Sequence, residues 1–391
     1  MIERVDNPGA EAFSPAKRFG ELLKQRLEKD PTFYVFSPDE TTSNKLDKVF
    51  ETSDRLWNLP KKDWDLPEAE NGRIVELLSE NTLFAAMVGH ILNNEPAVMT
   101  SYESFFPIVT SQILQQIKFF EQSDAVEWRP KYPSLNLLST STCWRQDHNG
   151  FSHQSPALIS TLLALPSNRV NCLFPVDDVA VEPTFDFMLS SKNVVNLTTF
   201  DKNLEPRWID SYHADFLFKN GGASVFKFIS DESPDFIFTA AGDITTREAI
   251  FAIRILKEDV PEIKIRFVGI NALSYNAIGT TDNKLSHEIF NDYFTTDRPI
   301  IANFHGYPET LRNILVHYAN QDRLSVHGFV EKGSTTTPFE MLAWNGASRY
   351  NLAIDVAEKL GRTDLVEKYQ KILNENSEYA KMFGVDKIDL I

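Results

Sequence analysis

The chain has 391 residues, 42% of them apolar and 24% charged, the proportions of a folded globular protein and not of a disordered one. Asp and Glu outnumber Lys and Arg by 55 to 39, a formal charge of -16, which argues against a nucleic-acid binder because such a protein needs a broad basic face. Small anionic ligands stay open, since a few cations converging on one cleft override the global sign.

The first helix is announced by Ser14-Pro15, a capping oxygen followed by proline at the first helical position, with Phe19, Leu22, Leu23 and Leu27 as its apolar stripe. Phe33-Tyr34-Val35-Phe36 reads as an extended run ending in Ser37-Pro38-Asp39-Glu40. Short β-rich runs follow at 74–78, 135–138, 170–174 and 194–197, separated by helical spacing such as Leu83, Phe84, Met87, Val88 and Ile91. At Asn220-Gly221-Gly222-Ala223 the rhythm breaks and a second series begins. Residues 236–239 read as a buried strand, leading through Ala241-Gly242-Asp243 into a helix that carries Ala249, Ala252, Ile253 and Leu256. Residues 263–268 and 299–304 read as later strands. The last amphipathic helix is expected to carry Leu352, Val356 and Leu360 and to stop at Gly361. Strands alternating with helices predict an α/β protein of two domains, 1–222 and 223–391, with parallel or mostly parallel sheets flanked by helices.

Two cysteines, Cys143 and Cys172, supply neither a disulfide framework nor a cysteine zinc site, so a reducing compartment is expected. No run approaches about 18 consecutive apolar residues. The opening Met1-Ile2-Glu3-Arg4-Val5-Asp6-Asn7-Pro8 has no charged-then-apolar leader, and the expected location is cytoplasmic.

Ligands of open parallel sheets bind outside the carboxyl ends of the strands, so the strand-to-helix turns are the informative places. In Leu78-Ser79-Glu80-Asn81-Thr82, Glu80 falls where a strand gives way to a helix; the plain alternative is an acid favouring a helix N-terminus. The loop Trp144-Arg145-Gln146-Asp147-His148-Asn149-Gly150-Phe151-Ser152-His153-Gln154 packs imidazoles, carboxamides, a guanidinium and a carboxylate between two aromatic residues. Its histidines are five apart and no HExxH pattern is present, so zinc is disfavoured; a ligand-facing loop competes with an ordinary solvated one. The turn Ser37-Pro38-Asp39-Glu40-Thr41-Thr42-Ser43-Asn44-Lys45 offers hydroxyls and an ammonium that suit a phosphate, or simply a helix cap. Neither a GxGxxG nor a GxxxxGK[ST] loop is present.

Together with Ser101-Tyr102-Glu103-Ser104-Phe105 and His327-Gly328-Phe329-Val330-Glu331-Lys332-Gly333-Ser334-Thr335-Thr336-Thr337-Pro338-Phe339, these segments resemble phosphoketolases of the xylulose-5-phosphate/fructose-6-phosphate type. The resemblance implies a transketolase-like enzyme that uses thiamine diphosphate and magnesium. Such enzymes have a diphosphate-binding domain, a pyrimidine-binding domain and a C-terminal domain, and this chain matches the last two. The diphosphate domain's GDG motif is missing; the sole Gly-Asp is Gly242-Asp243, followed by Ile244. The implied reaction cleaves xylulose 5-phosphate or fructose 6-phosphate with inorganic phosphate, giving acetyl phosphate and an aldose phosphate.

By position in the matched motifs, Glu80 corresponds to the glutamate at the aminopyrimidine ring, and Phe105 to an aromatic that stacks on that ring or simply fills core. Gln146, His148 and His153 correspond to polar groups around the reacting carbons, and Ser43, Lys45, Tyr102, Asn149 and Lys202 to phosphate-gripping residues. His305 and His327 fall in the C-terminal domain and are expected to be structural or interface residues. The sequence departs from the family pattern at Lys45, where arginine is common, at Asn81, where histidine is common, at 93–96, and around Lys202. The expected partners are a homodimer mate or a separate diphosphate-binding half, with no nucleic acid and no membrane. A non-catalytic regulatory paralogue and a transketolase are the competing readings.

Overall fold

The computed structural model describes residues 5–38, 40–65 and 68–390. Asp39 and the first four residues, on which parts of the sequence reading fall, lie outside the described residues. Helix α1 (Pro15–Lys29) begins as its sequence dictates: the Ser14 hydroxyl accepts from Lys17 N, Pro15 occupies the first turn, and Phe19, Leu22, Leu23 and Leu27 are buried. The next elements are β1 (Tyr34–Ser37), β2 (Ile74–Glu76), α2 (Glu80–Leu92), β3 (Ala97–Tyr102), α3 (Thr110–Asp124), β4 (Leu135–Thr140), β5 (Val170–Leu173) and β6 (Val195–Thr199). The second series comprises β7 (Ala223–Val225), β8 (Phe236–Ala241), α4 (Asp243–Asp259), β9 (Ile265–Ile270), β10 (Ala272–Ser274), β11 (Ala277–Ile278), β12 (Ile300–Phe304) and β13 (Leu324–His327).

The first sheet runs in the order β11-β10-β5-β6-β4-β3-β1-β2 and ends in two short edge strands, Arg55–Leu56 and Glu68–Ala69. From β5 to β2 every pairing is parallel. The second sheet runs β7-β9-β8-β12-β13, parallel except for β7. The architecture is thus α/β with mostly parallel sheets under helices. The strands carry continuous apolar runs because both faces are covered. Three asparagines cross the first sheet: Asn171 donates to Asn196 at 3.0 Å and Asn196 to Asn136 at 2.8 Å, a buried ladder that any slip in strand pairing would break.

The second sheet starts at Ala223, yet the chain does not leave the first sheet there: β10 returns and pairs antiparallel with β5, Leu273 opposite Cys172. A helix does carry Leu352 and Val356 and end before Gly361, here α5 (Arg349–Lys359), and Gly361 has φ +69°. It is not the last helix: α6 (Thr363–Phe383) follows. That segment buries Leu365, Tyr369, Asn376 and Ala380 at helical spacing on one face, a stripe the expectation of a last helix ending at Gly361 passed over.

Candidate functional site

The parallel register brings five turns to one edge. Tyr102 at the end of β3 lies opposite Thr140 of β4, and Ser139 lies opposite Thr199 of β6. Ser37 of β1 sits opposite Glu76 of β2. The segments that follow are therefore neighbours at the carboxyl edge, where open parallel sheets hold ligands. They carry Glu40 to Lys45, Glu80, Tyr102 to Phe105, the loop 144–154 and Lys202.

Five of the expected site residues meet there. The Tyr102 and Phe105 rings stack with centroids 5.9 Å apart, and His153 stands edge-on to Phe105 at 5.1 Å and to Tyr102 at 6.2 Å. The Tyr102 hydroxyl lies 3.2 Å from the Ser43 hydroxyl. Lys202 Nζ sits over the Tyr102 ring, 5.0 Å from its centroid. Lys45 is close by in a left-handed conformation, φ +64°, and lines one cleft with Lys17 and Lys202.

Two more expected residues bond to each other: Asn149 Nδ2 donates to Gln146 Oε1 at 2.7 Å. Gln146 is buried, and its Nε2 finds no partner among the described residues. His148 is not drawn into the cluster. Its side chain is 68% exposed and 3.9 Å from the Asp147 carboxylate.

Glu80 opens α2, half-buried, after the Ser79 cap. Its carboxylate makes no hydrogen bond among the described residues, and its charge is felt by Glu40. Burial first, and the Glu80 charge in addition, push the Glu40 carboxyl up to about 8, against the pull of the Tyr102 N–H and the Lys202 ammonium. Glu40 is held in place by that N–H, which donates to Oε2 at 3.0 Å. At neutral pH the Glu40 carboxyl is therefore mostly protonated. Glu40 stands inside the 37–45 segment, but only the fold shows it facing Glu80; its one sequence signal is an acid directly after a strand.

The loop 144–154 is clamped between the two sheets' units. Trp144 Nε1 donates to the His305 carbonyl at 3.0 Å, Gln154 Nε2 donates to Gln146 and Ser334 carbonyls, and Thr336 N donates to the Asp147 carbonyl. The two motif segments, 144–154 and 327–339, therefore pack on each other although about 180 residues separate them. Beneath the loop, His305 Nε2 lies 2.8 Å from Glu103 Oε1, and Glu103 Oε2 accepts from Cys143 N at 2.7 Å. Burial presses the His305 imidazolium down, and Glu103, Asp243 and Asp201 more than reverse it, so its pKa is raised. Donor atoms of Glu103, Cys143 and His305 lie within 4.8 Å of one another. Glu103 is already satisfied, however, and burial followed by the Glu103 charge raises the Cys143 thiol well above its ordinary range, so the trio reads as a hydrogen-bonded joint.

A second buried joint runs from Arg145, which donates to Asp201 at 2.8 Å and Glu205 at 3.0 Å. Arg247 reaches both Glu205 oxygens at 2.8 Å and Glu248 at 3.0 Å, and Arg349 holds Glu248 at 2.8 Å. Asp243 accepts from Asp201 N and from Ile244 N. No local spacing announces these residues, because their partners come from distant parts of the chain.

The fold and this edge define an α/β protein of the transketolase-like class. Two family models account for most of the sequence: D-xylulose 5-phosphate/D-fructose 6-phosphate phosphoketolase over residues 17–191 and its C-terminal domain over 202–390. The chain belongs to the phosphoketolase family. It is 34% identical over 396 residues to a probable phosphoketolase of Thermosynechococcus vestitus, covering 98% of this chain and 48% of that protein. With a probable phosphoketolase of Pediococcus pentosaceus the identity is 35% over 94% of this chain and 48% of the relative. The chain spans about half the length of the curated relatives it matches. Among solved structures, a Pichia stipitis transketolase superposes with a TM-score of 0.71 at 15% identity, over 92% of this chain and 47% of the other. A structure described as a split-gene transketolase, inactive beta4 tetramer, superposes with a TM-score of 0.59 at 14% identity, over 88% of this chain and 98% of that one. These two likenesses concern the fold.

Proposed function

We propose that this chain supplies the pyrimidine-activating half of a phosphoketolase, which cleaves xylulose 5-phosphate and/or fructose 6-phosphate with inorganic phosphate to acetyl phosphate and an aldose phosphate. The observation that carries the reading is the cluster at the carboxyl edge: a stacked aromatic pair, an imidazole edge-on to it, two hydroxyls and an ammonium, with Glu80 and Glu40 beside it. The residues suit the aminopyrimidine end of thiamine diphosphate. Phe105 offers a face, Glu80 offers a carboxylate without a hydrogen-bond partner among the described residues, and Gln146 keeps an unpaired buried N–H. The cofactor, when bound, supplies the carbanion-stabilising chemistry that side chains lack.

This chain's part is proton traffic and grip. Glu80 would hold the ring nitrogen and exchange a proton with it. Glu40, protonated at neutral pH, spares Glu80 a second negative charge. His153 moves protons at the reacting carbons, with Gln146 as a donor to a developing oxyanion. His148 joins only if its exposed imidazole turns toward the substrate. Ser43, Lys45, Tyr102, Asn149 and Lys202 take phosphate oxygens.

Diphosphate and magnesium need donors from elsewhere, because both Asp243 oxygens are spent on backbone N–H groups inside the joint between the units. We therefore assign them to a diphosphate-binding half, on the same polypeptide or a separate one, within a homodimeric assembly in the cytoplasm. Residues 1–391 taken without that half are therefore expected to be inactive. No described helix is long and apolar enough to cross a membrane.

The test is acetyl phosphate, trapped as its hydroxamate, from xylulose 5-phosphate. The isolated chain should give none, and addition of the diphosphate-binding half with thiamine diphosphate and magnesium should give turnover that Glu80→Gln abolishes. A correctly assembled but inactive pair would favour the regulatory reading, and transfer of the two-carbon unit to an aldose instead of to phosphate would favour a transketolase.

A further inference from the structure

Four Asn-Gly pairs occur in the chain: Asn71-Gly72, Asn149-Gly150, Asn220-Gly221 and Asn345-Gly346. In such a pair the glycine nitrogen can attack the asparagine's own carboxamide, because glycine has no Cβ to shield it. The attack needs a carboxamide free to turn and a glycine N–H free of hydrogen bonds, so the fold decides which pair reacts.

Three of the pairs are restrained. Asn345 is buried; its carboxamide accepts from Val330 N at 2.8 Å and Lys332 N at 3.2 Å and donates to the Lys332 and Met341 carbonyls, while Gly346 N donates to Ala343 O at 3.1 Å. Asn220 Nδ2 donates to the Tyr293 hydroxyl at 2.6 Å, and Gly221 is wedged so tightly that a Cβ there would lie 2.9 Å from the Leu285 backbone. Asn71 is exposed, but Gly72 N donates to Ala69 O at 3.0 Å, and a Cβ on Gly72 would fall 2.3 Å from the Arg55 carbonyl oxygen. Asn149 differs on every count. It is exposed, a single bond to Gln146 Oε1 at 2.7 Å holds its carboxamide, and Gly150 N makes no hydrogen bond among the described residues. A Cβ on Gly150 would meet only the Thr335 hydroxyl, at 3.7 Å, so nothing clamps the backbone there.

We propose that Asn149 is a self-modification site, converting spontaneously to aspartate and isoaspartate and switching off the loop that carries it. Gly150 N gives its proton to hydroxide and bonds to Asn149 Cγ; the Cγ–Nδ2 bond breaks and ammonia leaves with a proton from water. Water then opens the resulting imide at either carbonyl, leaving a carboxylate and, on one branch, an extra methylene in the main chain. No electrons change hands. The new carboxylate faces Gln146 Oε1, an acceptor against an acceptor. Gln146 resolves this by turning its carboxamide over, so that its buried and unpartnered Nε2 donates to the charge. One event thus replaces a neutral donor by an anion and captures the free N–H beside it. That this disables catalysis rests on the phosphoketolase reading of Gln146 and Asn149; the modification itself does not.

The experiment ages the folded 391-residue chain in mildly alkaline buffer and follows all four pairs by tryptic peptide mapping with fragmentation that separates aspartate from isoaspartate; Asn149 reports in the peptide Gln146–Arg169. Asn149 should convert about tenfold faster than Asn71, Asn220 and Asn345, the factor imposed by a hydrogen bond that must break first. In concentrated urea, where the fold no longer distinguishes them, the four rates should draw together. Equal conversion at the four pairs of the folded chain, or none at Asn149, overturns the proposal. The charge mimic Asn149→Asp, in chain labelled with 15N-glutamine, should shift the Gln146 side-chain signal and slow its proton exchange; an unchanged signal overturns the capture of Gln146. Because no turnover is measured, an assembled enzyme that makes no acetyl phosphate would sink the phosphoketolase reading and leave these results standing.

Discussion

Replacing Glu40 with glutamine should make the chain more stable above neutral pH, and the size of the effect follows from its surroundings. In the fold the Glu40 carboxyl titrates near 8 in place of the usual 4.5, through burial and then the Glu80 charge. The native state therefore binds a proton that the unfolded chain has released, and stability falls as pH climbs from about 4.5 to about 8. At about 1.4 kcal/mol per pH unit the ceiling is about 5 kcal/mol, and solvent reaching a half-buried site trims this to about 2–3 kcal/mol. Glutamine keeps the oxygen that accepts from Tyr102 N and carries no titrating proton. Urea unfolding at half-unit steps from pH 5.5 to 9 should show the variant drawing ahead of wild type as pH rises. Asp177, pushed up to about 7, also titrates in this window, so the difference between the two curves, and not either slope, reports Glu40. Parallel curves would show that Glu40 ionises normally and would remove its assigned role beside Glu80.

Three further substitutions probe the joints. Arg247→Met should cost about 3–5 kcal/mol in denaturant unfolding, because it leaves only Arg145 and Arg349 to balance the buried carboxylates of Asp201, Glu205 and Glu248; a loss below about 1 kcal/mol would mean water reaches them. Glu103→Ala removes the acceptor of Cys143 N and the partner of His305. Since the raised His305 pKa contributes stability at low pH that is lost as pH rises through it, the deficit should be larger at pH 6 than at pH 8, and an equal deficit would refute the pairing. Gly279→Ala puts a Cβ 2.3 Å from the Asn283 carbonyl oxygen at φ +102°, so about 1–3 kcal/mol should be lost by thermal or urea unfolding; unchanged stability would show that the turn relaxes freely.

The strands with continuous apolar runs were legible as written: β1, β4, β5, β6, β8, β9 and β12 fall where Val, Ile, Leu and Phe cluster. The central strand β3 escaped, because Ala97-Val98-Met99 passes into Thr100-Ser101, small polar residues that are buried by neighbouring strands and not by their own hydrophobicity. The short strands β7, β10 and β11 carry too few residues to show any period. At the edge, the 144–154 loop was conspicuous because its chemistry is concentrated in eleven residues. Glu103, Asp201 and Arg247 were silent, since each draws its meaning from a partner or neighbour far away in sequence. His148 and His153 look equivalent on paper; only packing against Phe105 separates them.

The hairpin at 272–278 acts like a stitch sewn back through cloth already passed. Scissors applied near residue 222 would leave the front piece with Cys172 and Leu173 on a raw selvage, open to any extended peptide, and would leave the rear piece with a flap that has nothing to lie on. Whoever seeks to reshuffle this polypeptide with others should keep the two halves as one bolt.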